Sequence, residues 1–326
     1  MIVPQFWAEA RVQEKTRERQ VTVRRYGWSD TSQEDASAMA EARASEALRR
    51  ILSGEKIQRS EPKVPYNGAD GIPIREEILS RHGDTIITRN CYGARCLNTP
   101  DVLFADIDLP DKDSSRFTSI AAGASVLGGL LYAWRQESLP SGLVAMVILY
   151  FAALLLGSIG ARLFRRASSD EVRARLMGRI HRFSEGHPDW HLRVYETPAG
   201  FRVLAMHDTF DPKGDQAALC FRELGSDPVY VRMCRNQRCF RARVSPKPWR
   251  IGISAHLKPR PGVWPVAPER MPRREAWVRD YEQRAPHFAA CRFVTRLGSD
   301  HVHPAAGHVA ALHDELSRAT SGLPIA

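Results

Sequence analysis

The chain has 326 residues, 43% of them hydrophobic, and a formal net charge of +10. That apolar content can supply a core, which excludes a wholly disordered polyelectrolyte, and the length suits one large domain or two small ones. The cationic balance favours phosphate-bearing partners over basic ones.

The amino-terminal piece, residues 1–60, reads as a strand over Gln20–Tyr26, a turn through Gly27–Asp30 and a helix to about Leu52. Ser32 with Asp35 resembles a capping box and Gly54 stops the helix. Ala36, Met39, Ala40, Ala47 and Ile51 form its apolar stripe, interrupted at Arg43. A second segment, 61–116, opens with a linker-like stretch over Glu61–Ile74, in which Asn67–Gly71 reads as a turn. Strands are expected at Thr85–Arg89, Ala94–Asn98 and Val102–Leu109.

Two apolar runs follow, Phe117–Trp134 and Leu139–Ala161, separated by four residues. Each is long enough to cross a bilayer, so residues 117–161 read as a transmembrane helical hairpin. Lys112 and Arg116 precede it and Arg162, Arg165, Arg166, Arg173 and Arg175 follow, while the turn holds only Arg135. The positive-inside rule then predicts an inner-membrane protein with both termini cytoplasmic, the lipid bilayer being its first partner. The amino terminus shows no apolar signal-peptide region. The six cysteines are accordingly expected to stay reduced. The four-residue gaps of Cys91/Cys96 and Cys234/Cys239 do not match the commoner zinc spacing.

Residues 162–260 predict a helix over Asp170–Phe183 with a Ser168/Glu171 cap, and strands at His191–Thr197 and Phe201–His207. A helix over Asp215–Leu224 ending at Gly225 and strands at Val229–Met233 and Cys239–Val244 complete this stretch. The extension 261–326 adds Tyr281–Phe288, a strand near Arg292–Thr295 and a helix near Ala305–Ala319. With the hairpin set aside, the order from Val102 is strand, helix, strand, strand, helix, strand. This predicts an α+β fold with a ferredoxin-like or RNA-recognition-motif-like split βαβ core into which the hairpin is inserted.

Three groups could carry chemistry. In Phe104–Pro110, strand alternation points Asp106 and Asp108 to one face, a hard-oxygen pair suited to Mg²⁺ or Mn²⁺ with substrate phosphates; the pair also reads as solvent-facing acids at a strand end. Residues 228–268 hold no Asp or Glu while Arg232, Arg235, Arg238, Arg241, Arg243, Lys247, Arg250, Lys258 and Arg260 accumulate. Such a surface suits nucleotide, nucleic acid or anionic lipid headgroups, or is simply a solvated basic face. His301, His303, His308 and His313 cluster in sequence, without a nearby cysteine or carboxylate at good ligand spacing. No nucleophile elbow, Walker loop or HExxH motif occurs.

The layout resembles the catalytic core of the archaeo-eukaryotic primase–polymerase superfamily. Asp106 and Asp108 match its Asp-x-Asp, and residues 197–202 match its small-residue hairpin turn, with Arg202 where a His is usual. Residues 240–248 resemble its late basic segment. The third carboxylate of the family has no counterpart. The resemblance implies a palm-like domain with catalytic and metal-binding Asp106 and Asp108, Arg202, Arg241, Arg243 and Lys247 on the phosphates, and metal-dependent nucleotidyl transfer or a degenerate form of it. The alternative is a non-enzymatic membrane protein whose basic face binds anionic lipid or a cytoplasmic protein partner.

Overall fold

The structure is a computed structural model describing residues 3–15, 20–61, 71–109, 115–136 and 139–326, with the backbone alone for parts of 115–169. Most of the linker and its Asn67–Gly71 turn, and Lys112, lie outside the described residues. The fold is mixed α+β, and the chain divides into two compact units, Met1–Ile107 with His181–Ala326, and Asp108–Ile180.

In the first unit, β1 (Phe6–Lys15) and β2 (Gln20–Ser29) pair antiparallel along their whole length. Helix α1 (Gln33–Leu52) packs on them. Ser32 caps it by accepting from the Asp35 amide, with Glu34 and Asp35 at its positive end and Arg49 and Arg50 at its negative end. Ala36, Ala40, Ala44, Ala47, Leu48 and Ile51 form its buried face, whereas Met39 is exposed. This alanine face lets the helix lie close. A Cβ on Gly27 would stand 2.1 Å from the Ala36 carbonyl oxygen, so only glycine fits there. Arg43, which interrupts the stripe, reaches Glu61 and the Tyr26 carbonyl.

A second sheet has the order β3 (Glu77–His82), β4 (Thr85–Arg89), β5 (Arg95–Thr99), then β9 (Phe240–Arg243). A third sheet has the order β10 (Arg292–Gly298), β7 (His191–Thr197), β8 (Gly200–Ala205), β6 (Phe104–Asp108). In it β7 pairs antiparallel with both β8 and β10. Its buried residues include Leu103, Phe104, Leu192, Val194, Val203 and Leu204. The remaining helices of this unit are α4 (Asp215–Leu224), α5 (Pro228–Gln237), α6 (Met271–Arg284) and α7 (Pro304–Ser317).

The segment expected as a strand at Val229–Met233 is α5. Its β-branched valines suit a strand, but Asp227 caps the amides of Val229 and Tyr230 and Pro228 occupies the first turn, so the local start signal wins. Strand β9 pairs with β5, and β10 takes the outer place beside β7.

The second unit is a helical hairpin made of α2 (Ser115–Gln136) and most of α3 (Leu139–Gly186). The two approach closely at Gly128, where a Cβ would stand 2.9 Å from Leu149 Cδ1. Helix α3 runs unbroken through Ser168 and Glu171, so these residues start no helix.

The expectation of two transmembrane helices is overturned. Among the described residues no helix is long and apolar enough to cross a membrane. Gly123, Ser125, Gly128 and Gly129 dilute α2, and α3 continues into the basic stretch from Arg162 to Arg182 instead of ending with its apolar run. The membrane character, the inner-membrane placement and the orientation of both termini inferred from those spans fall with them.

Candidate functional site

Asp106 and Asp108 share one face of β6, as alternation requires. Asp106 does not stand open, however. Arg202, on the neighbouring strand β8, donates from Nε to Asp106 Oδ1 at 2.8 Å and from Nη2 to Oδ2 at 3.3 Å. Arg202 is only 3% exposed, and its Nη1 also donates to the Arg243 carbonyl at 3.0 Å. Burial works against its charge, but the attraction of Asp106 outweighs that and raises its pKa. Asp108 is exposed at the strand end. Both Asp106 oxygens are held by one guanidinium, and among the described residues no three His, Cys, Asp or Glu side chains converge as a metal-binding group. This donor set, as arranged, does not fit a divalent cation.

The other expected phosphate ligands are dispersed. Arg241 is buried, donating to Glu76 Oε1 at 2.8 Å, Glu76 Oε2 at 2.6 Å and Asn98 Oδ1 at 2.7 Å. Thr88 donates to the same carboxylate. Arg243 donates to the Ser245 carbonyl at 2.7 Å. Lys247 lies over the ring of Trp249, its Nζ 5.4 Å from the centroid, and Trp249 is 55% exposed with Tyr92 against its edge.

A buried network that sequence reasoning did not assemble lies between α7 and the third sheet. Cys291 Sγ is 3.8 Å from His313 Nε2, and His313 Nδ1 is 3.1 Å from Asp314 Oδ1. Asp314 also accepts from Tyr195 Oη at 2.7 Å and pairs with Arg193. Burial would raise the Cys291 thiol, but His313 outweighs it and the thiol is lowered; burial would lower His313, but Cys291 and Asp314 hold it raised. Cys291 and His313 are fully enclosed, so this arrangement ties helix to sheet and exposes no nucleophile. His303 instead caps α7, His308 is exposed, and the His301 carbonyl meets His191. The four histidines therefore diverge. All six cysteines are free thiols.

The accessible cations lie elsewhere. A cavity of about 630 Å³ between α4 and α5 is lined by Lys213, Arg222, Arg232 and Arg235, with Phe221, Val231, Pro212 and Pro228 as apolar wall and no acidic residue in the lining. All four cations are exposed, and among the described residues no carboxylate lies within ion-pair distance of any of them. Lys213 and Asn236 also border an adjoining cavity that Arg238 lines, so the cationic rim is continuous. Another cationic cavity is lined by Lys258, Arg260, Arg270 and Arg273, with Glu269. The acid-free tract pointed to Arg232, Arg235 and Arg238. Lys213 and Arg222 lie outside it, and only the packing of α4 beside α5 brings them in. No family model, curated protein or solved structure in the comparisons matches the chain.

Proposed function

We propose that this protein binds nucleic acid through the exposed basic surface around α4 and α5. The single observation that carries the reading is how the cations are sorted. Arg202 and Arg241 are buried and matched to Asp106 and Glu76, whereas Lys213, Arg222, Arg232 and Arg235 surround a cavity with no carboxylate in its lining. Unneutralised arginines gathered on one surface are the electrostatic footprint of a phosphate backbone. The exposed Trp249, with Tyr92 and Lys247 beside it, offers an aromatic face of the kind on which bases stack.

The adjacency of β7, β8 and β6 is the one a split βαβ unit requires of its first three strands and supports a palm-like reading of the third sheet, while the fourth strand expected of that unit, at Cys239–Val244, is β9 and pairs with β5 in the second sheet instead. In this reading the Asp106–Arg202 pair is a structural clamp. The resemblance to the primase–polymerase core then bears on nucleic-acid binding and not on nucleotidyl transfer.

The test is fluorescence anisotropy with a labelled duplex over a series of salt concentrations. If four phosphates are contacted, the log–log salt slope should be about −3.6, and Arg232→Gln/Arg235→Gln should reduce its magnitude by about 1.8. Absence of binding at low salt, or a slope the double variant leaves unchanged, refutes the reading. Binding of the chain to anionic vesicles but not to oligonucleotide refutes it in favour of a lipid surface.

A further inference from the structure

Strand β1 belongs to a sheet of two, and among the described residues β2 is the one strand it pairs with. The register sets Arg11 opposite Arg24 and Glu9 opposite Tyr26. On β2 the outer edge is occupied. The Arg24 amide donates to the Arg59 carbonyl at 2.9 Å, the Glu61 amide to the Arg24 carbonyl at 3.3 Å, and the Tyr26 amide to Glu61 Oε2 at 2.9 Å. Arg24 and Tyr26 thus turn their backbone groups away from β1. Residues directly opposite in an antiparallel pair behave alike, so Glu9 and Arg11 turn theirs away from β2, onto the outer edge of β1. Helix α1 closes one end of that edge, where Gln33 Nε2 donates to the Trp7 carbonyl at 2.9 Å. From Ala8 to Val12 the edge borders a cavity of about 490 Å³ whose other wall is Ser37, Glu41 and Ser45 of α1.

An open strand edge is a template for another strand, and the charges along this one specify which. The bordering segment reads Ala-Glu-Ala-Arg-Val. Turned end for end about Ala10, it sets Glu9 opposite Arg11 at two places and Ala8 opposite Val12 at two more. A second copy of β1 laid antiparallel in that register matches each charge with its opposite. Glu9 and the partner's Arg11 then exchange both main-chain hydrogen bonds, and so do Arg11 and the partner's Glu9. The match also relieves an imbalance inside the chain. Arg11 stands directly opposite Arg24, and like charges so placed repel. Glu9 lies 3.5 Å from Arg24. The partner's Glu9 gives Arg11 a carboxylate on its other side, while each Glu9 keeps the contacts it makes within its own chain. Ala8, Ala10 and Val12 are only half-buried, and Ser37 and Ser45 are small, so the groove has room for a second helix beside α1. Glu41 is exposed and long enough to reach solvent.

We propose that β1 is a self-association edge. It pairs antiparallel with β1 of a second copy about a two-fold axis at Ala10, joining two two-stranded sheets into one of four strands with both α1 helices on the same face. The proposal is independent of the nucleic-acid reading.

The experiment is sedimentation equilibrium of the full chain over about a hundredfold range of concentration. The average mass should rise from one chain toward two and no further, because the two-fold pairing consumes both edges. Arg11→Pro removes an amide that points away from β2. It should hold the chain monomeric while the far-ultraviolet circular dichroism matches the parent. Glu9→Arg and Arg11→Glu should each weaken the dimer about tenfold or more, since each sets like charges opposite one another at two places. Arg11→Glu also puts a carboxylate opposite Arg24, so weakening by this variant reports the interface and not the fold. An equimolar mixture of these two single variants should recover parental affinity as a heterodimer, with opposite charges facing again at both places. Ala10→Cys places a thiol on the axis and should give a disulfide-linked dimer on oxidation that the parent does not give.

A chain that stays monomeric throughout overturns the proposal and leaves the edge to an extended segment of another protein. A dimer that Arg11→Pro or the charge reversals leave intact overturns it as well, by placing the contact elsewhere. So does a mixture of the two charge variants that associates no more tightly than its components.

Discussion

Replacing Asp106 by asparagine decides between a metal ligand and a structural clamp. The variant leaves the Arg202 guanidinium, 3% exposed, without its carboxylate. Removing one partner of a buried ion pair costs about 3–5 kcal/mol. Two features of the structure pull the value down. The Asp106 side chain is 28% exposed, so water reaches its side of the pair, and Arg202 keeps its bond to the Arg243 carbonyl. A loss of about 3 kcal/mol is therefore expected, which moves a urea midpoint by about 1 M when the slope is about 3 kcal/mol per molar. Urea unfolding followed by tryptophan fluorescence measures it directly. The double variant Asp106→Asn/Arg202→Met should recover at least half of the loss, because it buries no unmatched charge. A cost below about 1 kcal/mol, or a double variant no better than the single one, contradicts the clamp. Heats from Mg²⁺ or Mn²⁺ titration that vanish in Asp106→Asn would contradict it from the other side.

Glu76→Gln breaks a pair whose two side chains are more deeply buried, and should cost about 3–5 kcal/mol in the same assay; a loss under about 1 kcal/mol would mean that Arg241 does not depend on the Glu76 charge. His313 titrates above its ordinary 6.5 in the folded chain, because Cys291 and Asp314 outweigh the burial that would lower it. Its contribution to stability is complete below about 6.5 and is lost as pH rises through the folded value, so the stability of the parent relative to His313→Gln should fall as pH rises above 6.5. Equal declines in the two proteins would refute the assignment. Gly27→Ala drives a Cβ into the α1 backbone at the Ala36 carbonyl and the Ala40 amide. Neither atom can swing away, so a loss at the upper end of about 1–3 kcal/mol is expected from overpacking, and an unchanged melting temperature would show that α1 can lift from the hairpin.

Signals contained in a few consecutive residues were legible in the sequence. Ser32 and the first-turn acids give the start of α1, Gly225 gives the end of α4, and the tight Pro198-Ala199-Gly200 join gives β7 and β8. Strand alternation puts Asp106 and Asp108 on one face. Where two local signals compete, as at Val229–Met233, the cap at Asp227 outweighs β-branched composition. Apolar run length misled at the hairpin, where the runs meet the length of a membrane span but no described helix is apolar enough to be one.

The partners of the charges were not legible, because they are set by which strands lie side by side. Arg202 meets Asp106 across 96 residues and Arg241 meets Glu76 across 165. The acid-free tract is a property of the sequence, and its composition alone determined that the protein presents excess positive charge. Only the tertiary structure decided which arginines keep that charge available. Arg202 and Arg241, on sheet strands, are desolvated and each is matched by a carboxylate, whereas Arg232 and Arg235 on the exposed face of α5 remain hydrated and need no internal partner.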